Sequence, residues 1–272
     1  MKRNKKALFE NYRASQTSVD LPTDHEDALI CPLCWEETAY NDLSIEHALP
    51  GSVGGSAKVL TCRSCNNEHG SSLDSHLSQF QKLKDALQGH GTIATELNIN
   101  GKRMVANLDW KNKNFHVVGK ATDPRVNDLV KDEFQAGLVE KMKVTFSFGY
   151  AKNQFNRAAL RAAYLVLFRC FGYQYVVHDV VQILRRRICD PTQEFPRLGS
   201  MIVEFRNKDN FPDHEPHLVS VGNVNDVQFF LVILRVKKAT ISHIGVFMPA
   251  PTAPTDLFFE LMDRCSQEHN GD

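Results

Sequence analysis

Apolar residues recur with two different periods along the chain, and the period changes near residue 91. Residues 71–87 carry leucine and phenylalanine at helical spacing, and two glycines directly after them predict where that helix ends. From residue 92 the apolar positions alternate, which predicts strands, and Asn100-Gly101 between two of them indicates a tight hairpin. We therefore divide the chain into a linker with a short helix, a small module and a larger domain, over residues 1–30, 31–90 and 91–272.

The larger domain is predicted to be α+β with a mainly antiparallel sheet. Residues 153–171 are the clearest helical segment, and because they are apolar almost all round, we expect a buried central helix. Further helices are predicted from Pro124 to about residue 141, over residues 175–189 and over residues 257–265. Strands are predicted where β-branched and aromatic residues dominate, in residues 144–150, 201–207, 217–223, 227–236 and 241–250.

The composition of the 272 residues is that of a globular protein, with 42% hydrophobic and 24% charged residues. A formal net charge of +0 argues against a globally basic nucleic-acid binder, so any surface for nucleic acid must be a local patch. The sequence lacks a run of about 18 apolar residues, and its basic N-terminus lacks the apolar stretch of a secretory signal. We therefore expect a cytoplasmic protein that does not enter a membrane and whose thiols stay reduced.

Four cysteines in the small module form two Cys-x-x-Cys pairs, Cys31 with Cys34 and Cys62 with Cys65. Each pair makes a tight turn that presents two sulfurs to one ion, and two such pairs complete the tetrahedron that structural zinc prefers. Four thiolates leave no open coordination position, so the predicted zinc ion is structural. Because the module contains few large apolar residues, zinc binding should supply a large part of its folding free energy.

A second group of polar residues lies between and after the two cysteine pairs. Glu46 and His47 end a predicted strand before a Pro-Gly turn, and Asn66 and His69 lie three residues apart on a helix that the second pair opens. The resulting ββα arrangement would bring a carboxylate, an imidazole and an amide together. Carboxylate and amide oxygens suit a hard divalent ion, and a histidine can take a proton from water. These are the groups that metal-assisted phosphodiester hydrolysis needs.

The pattern EHALP, then GG, then CRSCNN and a further G resembles the HNH endonucleases with a ββα-metal core and zinc knuckles, in the variant that carries Glu-His. The resemblance covers residues 31 to about 77. It implies that His47 is the general base, that Glu46 and Asn66 hold a catalytic Mg²⁺ or Mn²⁺, and that the four cysteines hold structural Zn²⁺. It also implies DNA or RNA as substrate and a role in phage defence, restriction or mobile elements. The middle asparagine of the family is missing, because Ala57 stands near its position.

Several interpretations stay open at the level of the sequence. His69 could be a further metal ligand, a phosphate contact or an exposed side chain, and Asn66 could cap a helix. Two basic clusters, Arg157 with Arg161 and residues 185–187, could contact a nucleic-acid backbone or be solvated helix ends. The larger domain could target DNA, bind an activating ligand or dock a protein partner. The alternative to a nuclease is a non-catalytic zinc-knuckle module that binds nucleic acid or protein.

Overall fold

The computed structural model describes residues 2–99, 101–111, 114–120, 124–137, 144–149, 151–190, 192, 198–205, 211–212, 215 and 217–268. Within these residues the chain is α+β and all of the strand ladders are antiparallel, as the sequence predicted. The hairpin residue Asn100 lies outside them.

The N-terminal part consists of short elements around two small strand ladders. In chain order they are α1 (Lys2–Thr17), β1 (Ala28–Ile30), β2 (Glu37–Ala39), β3 (Leu43–His47), β4 (Lys58–Cys62), α2 (Arg63–Ser72) and α3 (Asp74–Leu87). Strand β1 pairs with β2, and β3 pairs with β4. The second ladder followed by α2 is the predicted ββα unit.

The rest of the chain contains two four-stranded sheets, of order β7-β6-β5-β8 and β10-β11-β12-β9. The first is built from β5 (Ile93–Ile99), β6 (Lys102–Lys111), β7 (Asn114–Lys120) and β8 (Val144–Phe148), with α4 (Pro124–Gln135) before the last strand. The second is built from β9 (Ile202–Phe205), β10 (His217–Val224), β11 (Val227–Lys237) and β12 (Ile241–Pro249). The remaining helices are α5 (Lys152–Phe171), α6 (Tyr173–Val176), α7 (Asp179–Cys189) and α8 (Thr255–Glu268).

Helix α5 is the buried central helix that the sequence predicted, since its residues from Ala158 to Phe168 are all buried. It packs against α3, α7, β4 and the second sheet. One hydrophobic core around it contains residues from Phe9 in α1 to Met262 in α8, the cysteine-rich module included. The division at residue 90 remains a prediction, but the two sides of it share this core.

Helix boundaries differ from the predicted ones in several places. Helix α4 ends at Gln135 and residues 136–137 form a turn, so it is shorter than the helix predicted to about residue 141, and α8 extends beyond the predicted residues 257–265 on both sides. The predicted helix over residues 71–87 is divided at Leu73, where Ser72 Oγ donates to the Glu68 carbonyl one turn earlier (2.8 Å), a contact that bends helices. The predicted helix over residues 175–189 is also two helices, because His178 takes an extended conformation and becomes the N-cap of α7.

Helix α1, the short helix predicted in the linker, packs against the core through its inner turns. Phe9 and Tyr12 are buried, and the Tyr12 ring stacks on Phe168 of α5 with centroids 4.5 Å apart. Among the described residues no helix is long and apolar enough to cross a membrane.

Candidate functional site

The four predicted cysteine ligands converge on one point. Their sulfur atoms all lie within 4.8 Å of one another, and Cys34 Sγ and Cys62 Sγ are 3.8 Å apart. Sulfurs bound at about 2.3 Å to a tetrahedral zinc ion lie about 3.8 Å from one another. The sulfur positions therefore fit a Cys₄ zinc site.

Backbone geometry around each pair explains why these short segments form knuckles. Trp35 N donates to Cys31 O (3.0 Å) and Cys31 N to Glu36 O (2.8 Å), which closes the first turn with Trp35 at a φ of 68°. At the second pair, Cys62 N donates to Cys31 Sγ and Cys65 N to Cys62 Sγ, each over 3.3 Å. Backbone donors to sulfur favour the thiolate, so the fold supports the charge that zinc binding requires.

The thiols also perturb one another. Hydrogen bonding to Cys31 lowers the pKa of Cys34 to about 2 and the pKa of Cys62 to about 6. Hydrogen bonds to the other sulfurs, together with burial, raise the pKa of Cys31. Two of the four sulfurs are thus ready to ligate as thiolates, and a metal ion displaces the protons that remain.

Side chains from the second half of the chain hold the backbone of the first knuckle. Tyr173 OH donates to Ile30 O, Tyr164 OH donates to Pro32 O (2.6 Å), and Arg185 Nη1 donates to Leu33 O (2.6 Å). All three donors are buried side chains of α5, α6 and α7. Sequence reasoning missed these residues, because only tertiary contact connects them with the cysteines.

The predicted turn after His47 depends on two glycines. Gly54 has a φ of 87°, in the left-handed region that favours glycine. A Cβ on Gly55 would lie 1.7 Å from Leu49 O, so only glycine fits there. Ala48 N donates to Ala57 O (2.8 Å), and Ala57 is buried. A backbone bond thus closes the loop at the position where the family's middle asparagine is absent.

Glu46 and His47 are adjacent in β3 and so project from opposite faces of the hairpin. His47 pairs with Lys58 and is half-buried, and its ring lies beside Gly51, about 4 Å from where a Cβ on that residue would stand. Within the described part of the chain its imidazole has no hydrogen-bond partner. Either ring nitrogen therefore remains available for proton transfer.

Both carboxylate oxygens of Glu46 already have partners. Thr61 Oγ1 donates to Glu46 Oε2 (2.7 Å), and the guanidinium of Arg161 forms an ion pair with Glu46 Oε1. The Arg161 guanidinium also contacts Asp74 Oδ1 at 3.2 Å. One guanidinium cannot balance two carboxylates, and burial raises the pKa of Asp74 to about 7. Burial likewise lowers the pKa of Arg161 to about 10, which leaves the guanidinium charged at neutral pH.

Asn66 lies on the Glu46 face of the hairpin. Its Nδ2 donates to Ser44 Oγ (3.0 Å), and Ser44 is two residues before Glu46, which is roughly 7 Å along a strand. The Asn66 amide oxygen has no partner among the described residues. The structure thus brings Asn66 and Glu46 to one face, while the side chain of His69 lies outside what it describes.

The basic clusters that could have contacted nucleic acid are partly buried instead. Arg161 and Arg185 are 1% and 8% exposed, and both hold parts of the cysteine-rich module. Arg157 donates to Ile188 O (2.8 Å) at the end of α7. Arg161 and Arg185 thus contact the interior of the protein, so neither of the two sequence interpretations is correct for them, whereas Arg157 is only half-buried.

Comparison with known proteins agrees with this geometry. Residues 31–81 match the model of a family described as HNH endonuclease. These residues form an HNH domain. Neither the curated proteins nor the solved structures include a match to the chain. The HNH domain thus spans both cysteine pairs, the β3–β4 hairpin, α2 and the first half of α3, whereas α5 with Arg161 lies outside the matched segment.

Proposed function

We propose that the chain is a metal-dependent endonuclease that hydrolyses DNA phosphodiester bonds at its HNH domain. The observation that supports the proposal is the contact of Asn66 with Ser44, which lies two residues before Glu46 on the same face of the hairpin that His47 ends. Around this point the four cysteine sulfurs fit a structural Zn²⁺, which would hold the hairpin against α2.

The donor atoms suit a hard divalent ion. Glu46 offers a carboxylate, and Asn66 offers an amide oxygen that has no partner among the described residues. Each carboxylate oxygen has two lone pairs, so the contacts with Thr61 and Arg161 leave acceptor capacity on Glu46. In this proposal Glu46 and Asn66 hold Mg²⁺ or Mn²⁺, with His69 as a possible further ligand or phosphate contact.

His47 would act as the general base. Its imidazole is half-buried beside the turn at Gly51 and lacks a competing hydrogen bond within the described residues. It would take a proton from the attacking water at a ring nitrogen. When bound, the divalent ion supplies Lewis-acid stabilisation of the phosphate and of the leaving oxygen. Because Glu46 and His47 project from opposite faces, the general-base role requires the attacking water to lie beyond the end of β3, where His47 is the last strand residue.

Plasmid cleavage with Mg²⁺ or Mn²⁺ tests the proposal. We expect His47→Ala and Asn66→Ala to lose cleavage by at least about 100-fold, because general-base catalysis alone contributes about 10² to 10⁴. His90→Ala, which changes an exposed histidine outside the HNH domain, is the matched control and should cleave like the wild type. Zinc content should be unchanged in all three variants. Cleavage by a zinc-loaded His47→Ala protein at the wild-type rate would contradict the proposal. A parallel assay with single-stranded RNA shows whether the enzyme prefers DNA or RNA.

The second candidate function is a zinc-knuckle module that binds nucleic acid or protein without catalysis. The burial of Glu46 favours it, because this residue is 4% exposed and a divalent ion of this kind keeps part of its water shell when it binds. This candidate requires DNA binding without cleavage under all divalent metals, with and without cell extract.

The biological setting belongs to the same proposal. If the chain acts in phage defence or restriction in the cytoplasm, protection from phage infection should depend on His47. Counting phage plaques on cells that express either the wild type or His47→Ala measures this protection. Residues 91–272 would then target DNA, sense a ligand or dock a partner.

A further inference from the structure

An arginine from outside the HNH domain reaches the centre of the proposed nuclease site. Arg161 lies in the middle of α5, and its side chain is 1% exposed. Its guanidinium contacts Glu46 in β3 and Asp74 at the start of α3. These two carboxylates belong to different elements of the HNH domain, so one side chain of α5 connects the hairpin with the helix that follows α2.

Helix α5 holds the same hairpin at a second point. Arg169 Nη1 donates to Lys58 O (2.8 Å), and Lys58 is the register partner of His47. Arg161 and Arg169 are eight residues apart, which is about 12 Å along a helix. A buried, rigid helix thus contacts β3 through the side chain of Glu46 and β4 through the backbone beside His47.

The orientation of the Glu46 carboxylate is set by two donors that approach different oxygens. Thr61 holds Oε2 from the neighbouring strand, and Arg161 holds Oε1 from α5. These two contacts prevent the carboxylate from rotating about its Cγ–Cδ bond, and they keep it on the face of the hairpin that carries Asn66. Partners of this kind fix metal-binding carboxylates in protein sites, and their loss costs about 10- to 100-fold in metal affinity.

We infer that Arg161 is a positioning residue of the nuclease site, which orients the Glu46 carboxylate towards a divalent ion shared with Asn66. The inference rests on the proposed function, because it takes Glu46 as a metal ligand. It assigns to α5 a part in the site that the segment matched by the family model does not contain. The HNH domain would then depend on the second half of the chain for the geometry of its metal site as well as for its packing.

A purely structural ion pair is the competing explanation, and stability does not separate the two. Replacing a buried ion pair can be neutral or stabilising, whereas removing one partner is destabilising in either case. Metal affinity separates them, because removing a pair that only competes for Glu46 leaves the binding of an ion at Glu46 and Asn66 unchanged or makes it tighter, whereas removing a positioning residue weakens it. The readout must therefore be binding of the metal, measured without substrate.

The experiment measures Mn²⁺ binding to the full, zinc-loaded chain by the loss of the free-ion electron paramagnetic resonance signal, without DNA. We expect Arg161→Met to bind Mn²⁺ about 10- to 100-fold more weakly than the wild type. Arg161→Lys should recover part of the loss, because lysine keeps the positive charge but lacks the planar, bidentate donors of the guanidinium. Arg157→Met is the matched control, since Arg157 lies one turn earlier on α5 and contacts α7 instead. It should bind Mn²⁺ like the wild type.

Thermal unfolding and zinc analysis accompany each binding curve. If Arg161→Met does not fold, the double variant Arg161→Met with Asp74→Asn replaces it, because it also removes the charge of the half-buried Asp74 carboxylate. The double variant is compared with Asp74→Asn alone. Wild-type or tighter Mn²⁺ affinity in a folded Arg161→Met or double variant overturns the inference and leaves the proposed function intact. A wild-type protein that binds no Mn²⁺ and cleaves no DNA overturns both.

Discussion

Replacing Asp85 with alanine should destabilise the fold by about 4 kcal/mol, because the side chain holds α3 to the turn between β11 and β12. Asp85 Oδ1 accepts hydrogen bonds from Gln81 Nε2 (2.9 Å), Thr240 N (2.9 Å) and Thr240 Oγ1 (2.6 Å). Ala239 N donates to Oδ2 (3.3 Å). Asp85 itself is 3% exposed, so water cannot replace it fully as the acceptor.

The magnitude follows from the donors that the substitution leaves behind. A buried donor without an acceptor costs about 1 to 3 kcal/mol, and three groups, Thr240 N, Thr240 Oγ1 and Ala239 N, lose the carboxylate. Gln81 Nε2 keeps the contacts with Thr240 O and Oγ1, which limits the loss. A cost of about 4 kcal/mol corresponds to a fall in Tm of about 10 °C in a chain of this size.

Thermal and urea unfolding at neutral pH measure the effect. Asp132→Ala, on the exposed side of α4, is the control and should shift Tm by less than about 2 °C. A Tm for Asp85→Ala within about 2 °C of the wild type would refute the reasoning, since it would mean that the buried carboxylate contributes no net stability.

The pH dependence of stability provides an independent test of the same prediction. Burial acts to raise the pKa of Asp85, but the hydrogen bonds from Thr240, Gln81 and Ala239 outweigh it, and the pKa is lowered overall. A lowered folded pKa means that the stabilisation is fully present above the unfolded pKa of about 3.9 and is lost as the pH falls through the folded value. The difference in unfolding free energy between wild type and Asp85→Ala should therefore be constant near neutral pH and shrink in acid.

Two further predictions concern the HNH domain. Cys31→Ser should release the zinc ion and unfold the cysteine-rich module, and elemental analysis should then find no bound metal. The control is Cys170→Ser, which changes an exposed cysteine and should keep one zinc per chain. A folded, metal-free wild type would contradict this prediction. Gly55→Ala should lower the unfolding free energy by at least about 2 kcal/mol, because the added Cβ would collide with Leu49 O. The control is Gly51→Ala, whose added Cβ would make only an ordinary contact with His47, so this variant should have the unfolding free energy of the wild type.

Local signals were enough to predict the metal site and most of the elements. The spacing of the cysteines fixes which sulfurs can share one ion, because a two-residue gap permits one kind of turn, and the four sulfurs lie within 4.8 Å as expected. The turn after His47 also follows from the sequence, since Gly54 and Gly55 occupy places that no side chain fits. Alternating apolar residues predicted the strands that follow residue 92, and β-branched and aromatic residues predicted β8 and the strands of the second sheet.

Helix ends were less predictable than helices. The division of the predicted helix at Leu73 depends on a serine bond to the preceding turn and on the burial of Leu73, and periodicity alone does not contain either. The break before α7 similarly places Tyr175 and Val176 in the core around α5. In both cases packing selected the end of a helix that propensity would have allowed to continue.

The sequence by itself determined that four cysteines can share one ion and that a carboxylate, a histidine and an amide lie in the hairpin and helix between and after them, because these relations span a few residues or one hairpin. Only the tertiary structure decided what surrounds them. Glu46 and Arg161 are 115 positions apart in the numbering, and no spacing rule links them, yet burial makes each the partner that the other needs. A buried charge needs an opposite charge beside it, and the packing of α5 against the HNH domain decides which residue supplies that charge.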